Sequence, residues 1–227
     1  MDAIVLDDIP MKIDVAALLQ RMHVPAGGEQ ARSVMQLVEQ AEAVGRPKAL
    51  YKVAPIDSKG EKSVVVEGTT LTSRILRVNL EKPRRVFPFV ATCGVELDAW
   101  VPPDGGLLHS YYADQIREMA LRSAINTMRR TIAERHGLDN AAMMNPGSLA
   151  DWPLREQRPL FSILGDPTGA IGVRLTSALL MVPVKSASGI LFPNEDSYEN
   201  CQLCTMENCP GRRARYVPGL VEEKFEH

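Results

Sequence analysis

From Leu107 to about Arg135 the chain contains neither proline nor glycine. That run predicts one long helix, on the order of 40 Å at about 1.5 Å per residue. Tyr112, Ile116, Met119, Ser123, Asn126 and Arg130 mark how its faces alternate. Ile116, Ala120, Ala124, Met128 and Ile132 recur every fourth residue and form a small-residue apolar seam, suited to close packing on a sheet or another helix. Gly137 is placed to end it. Whatever else the chain builds must cover that seam.

Upstream, Asp14 can cap a short helix over Val15 to Met22, closed by Pro25 and Gly27-Gly28. A second helix is predicted from Glu29 to Val44, with Val34, Leu37, Val38 and Ala41 at helical spacing and Gly45 at its end. Ala49 to Ala54 and Ser63 to Val66 read as strands joined by turn residues Asp57 to Gly60. Leu71 to Leu80 reads as a short helix starting near Thr72 or Ser73. Val86 to Gly94 reads as a buried strand entering a turn, and Val95 to Trp100 as a helix ended by Pro102-Pro103. After the long helix come the loop Met143 to Pro153, a helix over Arg155 to Leu164, and strands over Ile171 to Val182 and Lys185 to Phe192. Gly165 to Gly169 reads as a turn. One boundary is predicted, dividing a body over 1–195 from a cysteine-rich knuckle and tail over 196–227.

Of four cysteines in 227 residues, three lie in Cys201-Gln-Leu-Cys204-Thr-Met-Glu-Asn-Cys209, just before Arg212, Arg213 and Arg215. The start of the chain has no basic, apolar signal peptide, and no run approaches the ~20 apolar residues of a membrane span. A cytoplasmic location is expected, where thiols stay reduced unless they hold a metal or do redox work. The net charge of −2 gives no global case for nucleic acid or an anionic membrane as partner.

Three readings of the cysteines compete: a metal or iron–sulfur site, a redox pair, or unrelated small core residues. Spacing and compartment favour metal, because a C-x2-C turn aims two thiolates inward and Cys209 can supply a third, with Pro210-Gly211 turning the chain away. A redox pair is disfavoured because the C-x2-C does not open a helix after a strand. A fourth ligand would come from Cys93, His109, His136 or outside the chain. The arginines can balance an anionic cluster, which favours iron–sulfur over zinc; they also read as a solvated basic stretch.

Two further stretches are candidates for ligand contact. Pro146-Gly147 allows a tight turn with Trp152 nearby, either a ligand loop or a rigid connector whose indole fills the core. Ser186 and Ser188 share one strand face and can line a groove, or are ordinary strand residues. No catalytic set stands out: there is no glycine-rich phosphate loop, no H-E-x-x-H, and no acid or serine at a diagnostic spacing from a histidine.

An ordered series then carries a resemblance: Val90-Ala-Thr-Cys-Gly94 with Glu96-Leu97, Pro146-Gly147, Asp151-Trp-Pro-Leu154, Gln157, Leu160-Phe161, Ile171 to Thr176, Met181, Pro183 and Ser186-x-Ser-Gly189. It resembles the activation (reactivation) domain of vitamin B12-dependent methionine synthase, in its stand-alone bacterial form, over most of the chain up to about residue 195. The resemblance implies an α+β body: a bent antiparallel sheet flanked by helices, one of them long and central. To this body the C-terminal cysteine knuckle is added. It further implies docking on a corrinoid-binding protein or domain, S-adenosylmethionine as ligand, and a flavodoxin- or ferredoxin-type electron donor. In that family methyl transfer traps reduced cobalt as methylcobalamin.

The sequence departs from the family in its ligand loop, Arg-x-x-Pro-Gly-Tyr, which here reads Met143-Met-Asn145-Pro146-Gly147-Ser148. Family glutamates fall near Ser123 and Ser177. Losing a bidentate carboxylate contact removes on the order of 1.5–3 kcal/mol, which argues against inherited S-adenosylmethionine-dependent methyl transfer. The site expected from resemblance and residues together is Asn145, Pro146, Gly147, Ser148, Trp152, Ser186 and Ser188 for ligand, and Cys201, Cys204, Cys209 and Cys93 for iron–sulfur or zinc. The function expected is an accessory role in corrinoid-dependent methyl transfer, with a metal-stabilised binding module as the alternative.

Overall fold

A computed structural model describes residues 2–102, 106–194, 199–206, 208–209 and 212–225. The chain opens with β1 (Ile4–Leu6), helices α1 (Val15–Arg21) and α2 (Glu29–Val44), and strands β2 (Lys48–Tyr51), β3 (Ala54–Lys59), β4 (Ser63–Val66) and β5 (Thr69–Thr72). Then come α3 (Arg74–Asn79), β6 (Arg85–Thr92), α4 (Val95–Ala99) and α5 (Leu107–His136). They are followed by β7 (Ala141–Met144), α6 (Gln157–Leu164), α7 (Pro167–Ile171), a small hairpin of β8 (Arg174–Leu175) and β9 (Met181–Val182), β10 (Ser186–Pro193) and α8 (Leu220–Phe225).

The long helix is α5. Gly137 takes the left-handed conformation, φ 63°, and its N–H bonds the Ala133 carbonyl, satisfying one of the open acceptors at the helix end. Every residue of the apolar seam is fully buried. Its C-terminal half, Ala124, Met128 and Ile132, packs with Tyr51, Phe87, Phe89, Ala91 and Leu191 of the sheet. Its N-terminal half, Ile116 and Ala120, joins Leu18, Val34, Leu37 and Val38 of the first two helices. The seam therefore serves both a helix–sheet and a helix–helix contact.

β6 is the central strand. Seven of its eight residues are buried, as expected of a strand covered on both faces. It pairs antiparallel with β10 along Phe87 to Thr92, and with β2 and β3 in succession, at Phe89 to Thr92 and at Arg85-Val86. β1 extends the sheet beyond β2, β7 beyond β10, and β4 and β5 carry it on past β3. Val86 faces away from α5, toward Trp152, Leu160, Ile190 and Phe192, so alternation along β6 divides the core into two layers. The fold is a curled antiparallel sheet with one long central helix. Among the described residues no helix is long and apolar enough to cross a membrane.

Several boundaries differ from the sequence reading, each for a local reason. Asp57 to Lys59 belongs to β3, because a bulge between Ile56 and Ser58 interrupts the alternation that would have marked it as strand. Thr69–Thr72 is a strand with Leu71 buried, and the helix starts only where the Ser73 hydroxyl accepts the Leu76 N–H. Asp151 fastens that start to the loop after β7: its carboxylate accepts from the Ser73 hydroxyl and from the Arg74 and Ile75 N–H groups. Met143 and Met144 end a strand instead of opening a loop. Ile171 to Val182 is not one strand. Asp166 caps a helix with Pro167 in its first turn, Gly172 ends it in the left-handed conformation, and a turn near Leu179 separates β8 from β9. The expected domain boundary near residue 195 and the Pro210-Gly211 turn lie outside the described residues. Leu203 and Phe225 are buried in the same cluster as Leu76, Val86 and Trp152.

Candidate functional site

The edge strand β7 ends beside the middle of α5, and the chain after it turns at Pro146-Gly147. Gly147 has φ 86°, and its N–H donates to the Trp152 carbonyl at 2.7 Å. This turn leaves Asn145 and Ser148 facing the helix. Asn145 Nδ2 donates to the Ser188 carbonyl at 2.8 Å, and the Ser148 hydroxyl donates to the Asn145 carbonyl at 2.6 Å. The segment after β10 closes over them: Asn200 Nδ2 donates to Ser148 Oγ at 2.7 Å.

Asn200 opens the short turn that carries the first two cysteines. Glu199 and Gln202 cap that turn reciprocally. Arg212 then holds the cysteine segment from inside. Its Nη1 donates to the Cys201 and Ala214 carbonyls, at 3.0 and 2.9 Å, and its Nη2 to those of Cys204 and Met206, at 2.9 and 2.6 Å. Arg213 pairs with Glu199 at 2.9 Å, and its backbone N–H donates to Cys201 Sγ at 3.4 Å.

The result is a cavity of about 400 Å³ in which Cys201, Cys204 and Cys209 face the polar stripe of α5, with Asn145 and Ser148 between them. That stripe is Glu118, Arg122, Ile125, Asn126 and Arg129. The spacing 118, 122, 125, 126, 129 is one helical face, so the pattern lay in the sequence beside the apolar seam; only the position of β7 and the tail makes it a wall. The three thiols, Asn145 and Ser148 are thus brought together.

Other expected residues are not. Trp152 is fully buried in the core below the loop, so its indole supports the turn and is not presented to a ligand. Ser186 and Ser188 are engaged internally: the Ser186 hydroxyl contacts Thr92 Oγ1 at 3.0 Å and the Pro183 carbonyl at 2.7 Å, and Ser188 Oγ accepts from Gln157 Nε2 at 3.3 Å. Pro146 is buried and shapes the turn.

Cys93 is fully buried with Leu97, Tyr112 and Ile116, in a different cluster from that of Cys204. His109 contacts Ser33 Oγ at 3.0 Å, and the His136 ring lies tilted against that of Phe87 with centroids 4.9 Å apart; neither lines the cavity. Burial, reinforced by the Asp98 carboxylate, pushes the Cys93 thiol from about 9 up to about 12. Since the folded value lies above the unfolded one, the stability contributed by the neutral thiol is complete below about pH 9 and is lost as pH rises toward about 12. Cys93→Ala should therefore flatten the alkaline side of the stability profile, measured by urea unfolding at neutral pH and at about pH 11. A profile unchanged by the substitution would contradict this.

As a metal centre the site is incomplete. One sulfur receives a backbone N–H and a guanidinium fixes the loop carbonyls, as thiolate ligands need. Yet among the described residues no three His, Cys, Asp or Glu side chains are grouped to hold one ion. Loading would require the thiols to draw inward.

No protein-family model matches the chain, and no curated protein matches its sequence. Its fold is similar to a solved structure, the MetH reactivation domain bound to AdoHcy, with a TM-score of 0.64 and 13% identity, over 87% of this chain and 80% of that one.

Proposed function

We propose that this chain is an accessory protein for corrinoid-dependent methyl transfer, supporting the return of a corrinoid protein to its active cobalt state. The observation that carries this reading is the shared fold with a methionine synthase reactivation domain over most of both chains. The resemblance carried by the series from Val90 to Gly189 points the same way, and the three-thiol cavity beside the Asn145–Ser148 turn is where this reading places its chemistry. The solved neighbour holds AdoHcy, and S-adenosylmethionine is accordingly the methyl donor to test here, against a loop that offers Met143 and Ser148 where arginine and tyrosine would stand.

In this reading Cys201, Cys204 and Cys209 are the residues that would hold an iron–sulfur cluster, which supplies one-electron chemistry when bound. Arg212 fastens the loop that presents them, and the Arg213 N–H donates to Cys201 Sγ. A flavodoxin- or ferredoxin-type protein is the proposed electron donor, and the compartment is the cytoplasm. The division into a body over 1–195 and an added knuckle belongs to the same proposal.

A second reading is favoured by one observation, the engagement of Arg212 with four carbonyls: a metal-stabilised binding module in which zinc only reinforces what the guanidinium already orders. Elemental analysis of anaerobically prepared protein separates the two. Iron with acid-labile sulfide and a broad absorption near roughly 400 nm is the expected result; zinc at one per chain with no visible band would replace the first reading of the cysteines with the second. Docking is tested on its own by gel filtration with the cobalamin-binding domain of a methionine synthase. Co-elution is expected, and separate elution at micromolar concentrations would remove the corrinoid reading.

A further inference from the structure

The exposed apolar side chains of this chain are not evenly scattered. Leu107, Leu108 and Tyr111 crowd the first turns of α5 and are 90%, 49% and 45% exposed. Val184, 76% exposed, leads into β10, while Val95, 40% exposed, opens α4 and Val101, 75% exposed, follows it. Polar contacts tie these segments into one surface. Lys185 Nζ meets Asp114 Oδ2 at 3.1 Å and Glu118 Oε2 at 3.6 Å. The entry to β10 therefore runs beside the helix face on which Leu107, Tyr111, Asp114 and Glu118 recur at helical spacing. The Cys93 N–H donates to the Lys185 carbonyl at 2.9 Å, which puts the start of α4 beside the same entry. Arg117 Nε and Nη2 donate to the Leu97 and Trp100 carbonyls at 3.0 and 2.5 Å, so Val101 stays close to α5. Exposed hydrophobic residues met singly need no explanation, but a contiguous patch does. None of the six lines the thiol cavity.

We propose that this patch is a dimer interface, covered by the same patch of a second copy of the chain. Area and charge both favour that occupant. Burying one valine or leucine removes on the order of 100 Å² of apolar surface from water, so six residues at these exposures offer roughly 400 Å². A stable homodimer buries about 800 Å² per partner, about 65% of it apolar, which is the same order. The charges at the rim are already balanced within the chain. Lys185 and Arg117 stand against Asp114 and Glu118, and both cations are engaged, Lys185 by the two carboxylates and Arg117 by carbonyls of α4 and Trp100. The patch thus presents no net field to draw a strongly charged protein, whereas an apolar centre is characteristic of homodimers. A two-fold axis through it would set Leu107 and Tyr111 against the same apolar surface on the other copy. The inference stands apart from the proposed function, since it involves neither a corrinoid partner nor a metal.

Sedimentation velocity of the full-length protein between about 1 and 100 μM tests this. A dimer is expected to predominate at the upper end of that range. Leu107→Glu and Val184→Glu alter side chains that are more than three-quarters exposed, so the fold is kept. Each should raise the dimer dissociation constant at least about tenfold, because a two-fold interface meets every substitution twice. Met35→Glu, whose side chain lines a separate groove over α1 and α2, should leave it unchanged. A protein that stays monomeric throughout the range would overturn the proposal, and so would a dimer that both patch variants retain. Monomeric natural protein whose co-elution with the cobalamin-binding domain is lost in those variants would assign the patch to that partner, and overturn the dimer as well. The natural protein's own concentration series decides the matter without any variant. A monomer leaves the corrinoid reading untouched, and failure of co-elution leaves the dimer untouched.

Discussion

Replacing Trp152 by alanine is expected to cost about 3–5 kcal/mol, the range for truncating a large buried aromatic residue. Its ring is fully buried with Leu149, Leu160, Ile163 and Ala142. Its backbone also serves the site: the carbonyl accepts the Gly147 N–H at 2.7 Å, and its N–H reaches Leu149. Loss of the ring should therefore loosen the turn that aims Asn145 and Ser148 into the cavity. Trp152→Phe should recover most of the stability, because it keeps an aromatic body and removes a buried Nε1 that has no hydrogen-bond partner among the described residues. Urea unfolding measures both. A cost for Trp152→Ala below about 1 kcal/mol would contradict the core role and reopen a ligand role for the indole.

Gly94→Ala should be comparably severe, at least about 3 kcal/mol from backbone strain and overlap together. Gly94 sits at φ 95° between β6 and α4, and a Cβ there would press into the Arg46 carbonyl group, 2.8 Å from its carbon, and 2.9 Å from Glu96 Oε2. The first of these is backbone and has no rotamer through which to yield. The comparison is Gly137→Ala, where φ is also positive but a Cβ would meet nothing within 4 Å. Only the left-handed strain remains there, about 1–2 kcal/mol. Similar costs at the two glycines would show that the close approach to Arg46 is not a constraint.

What could be read in the sequence followed from local rules. α5 and α2 were legible because uninterrupted helical spacing and terminal glycines need no tertiary information, and α2 runs over Glu29–Val44 as expected. β6 and β10 were legible as apolar strands. The strand over Thr69–Thr72 was not, since three threonines around one leucine suit a helix entrance as well as a half-buried edge. Of the site, the cysteine spacing was visible, and so was the glycine turn at 147. Which way a residue faces was not: Trp152 and Ser188 turn inward, whereas Asn200 turns toward Ser148, and those directions are set by β7 pairing with β10 and by the tail folding back. Cys93 shares its chemistry with the other three cysteines and none of their surroundings, a difference that spacing cannot express.

The central claim is that this protein acts on a corrinoid protein. Anaerobically prepared protein, a methionine synthase cobalamin-binding domain in the Co(II) state, a reductant and S-adenosylmethionine should be combined and followed by visible absorption. Conversion of the Co(II) spectrum toward that of methylcobalamin or Co(I), faster with this protein than without it, is the expected result. A cobalt spectrum that neither shifts on mixing nor changes faster than in the control would contradict the claim.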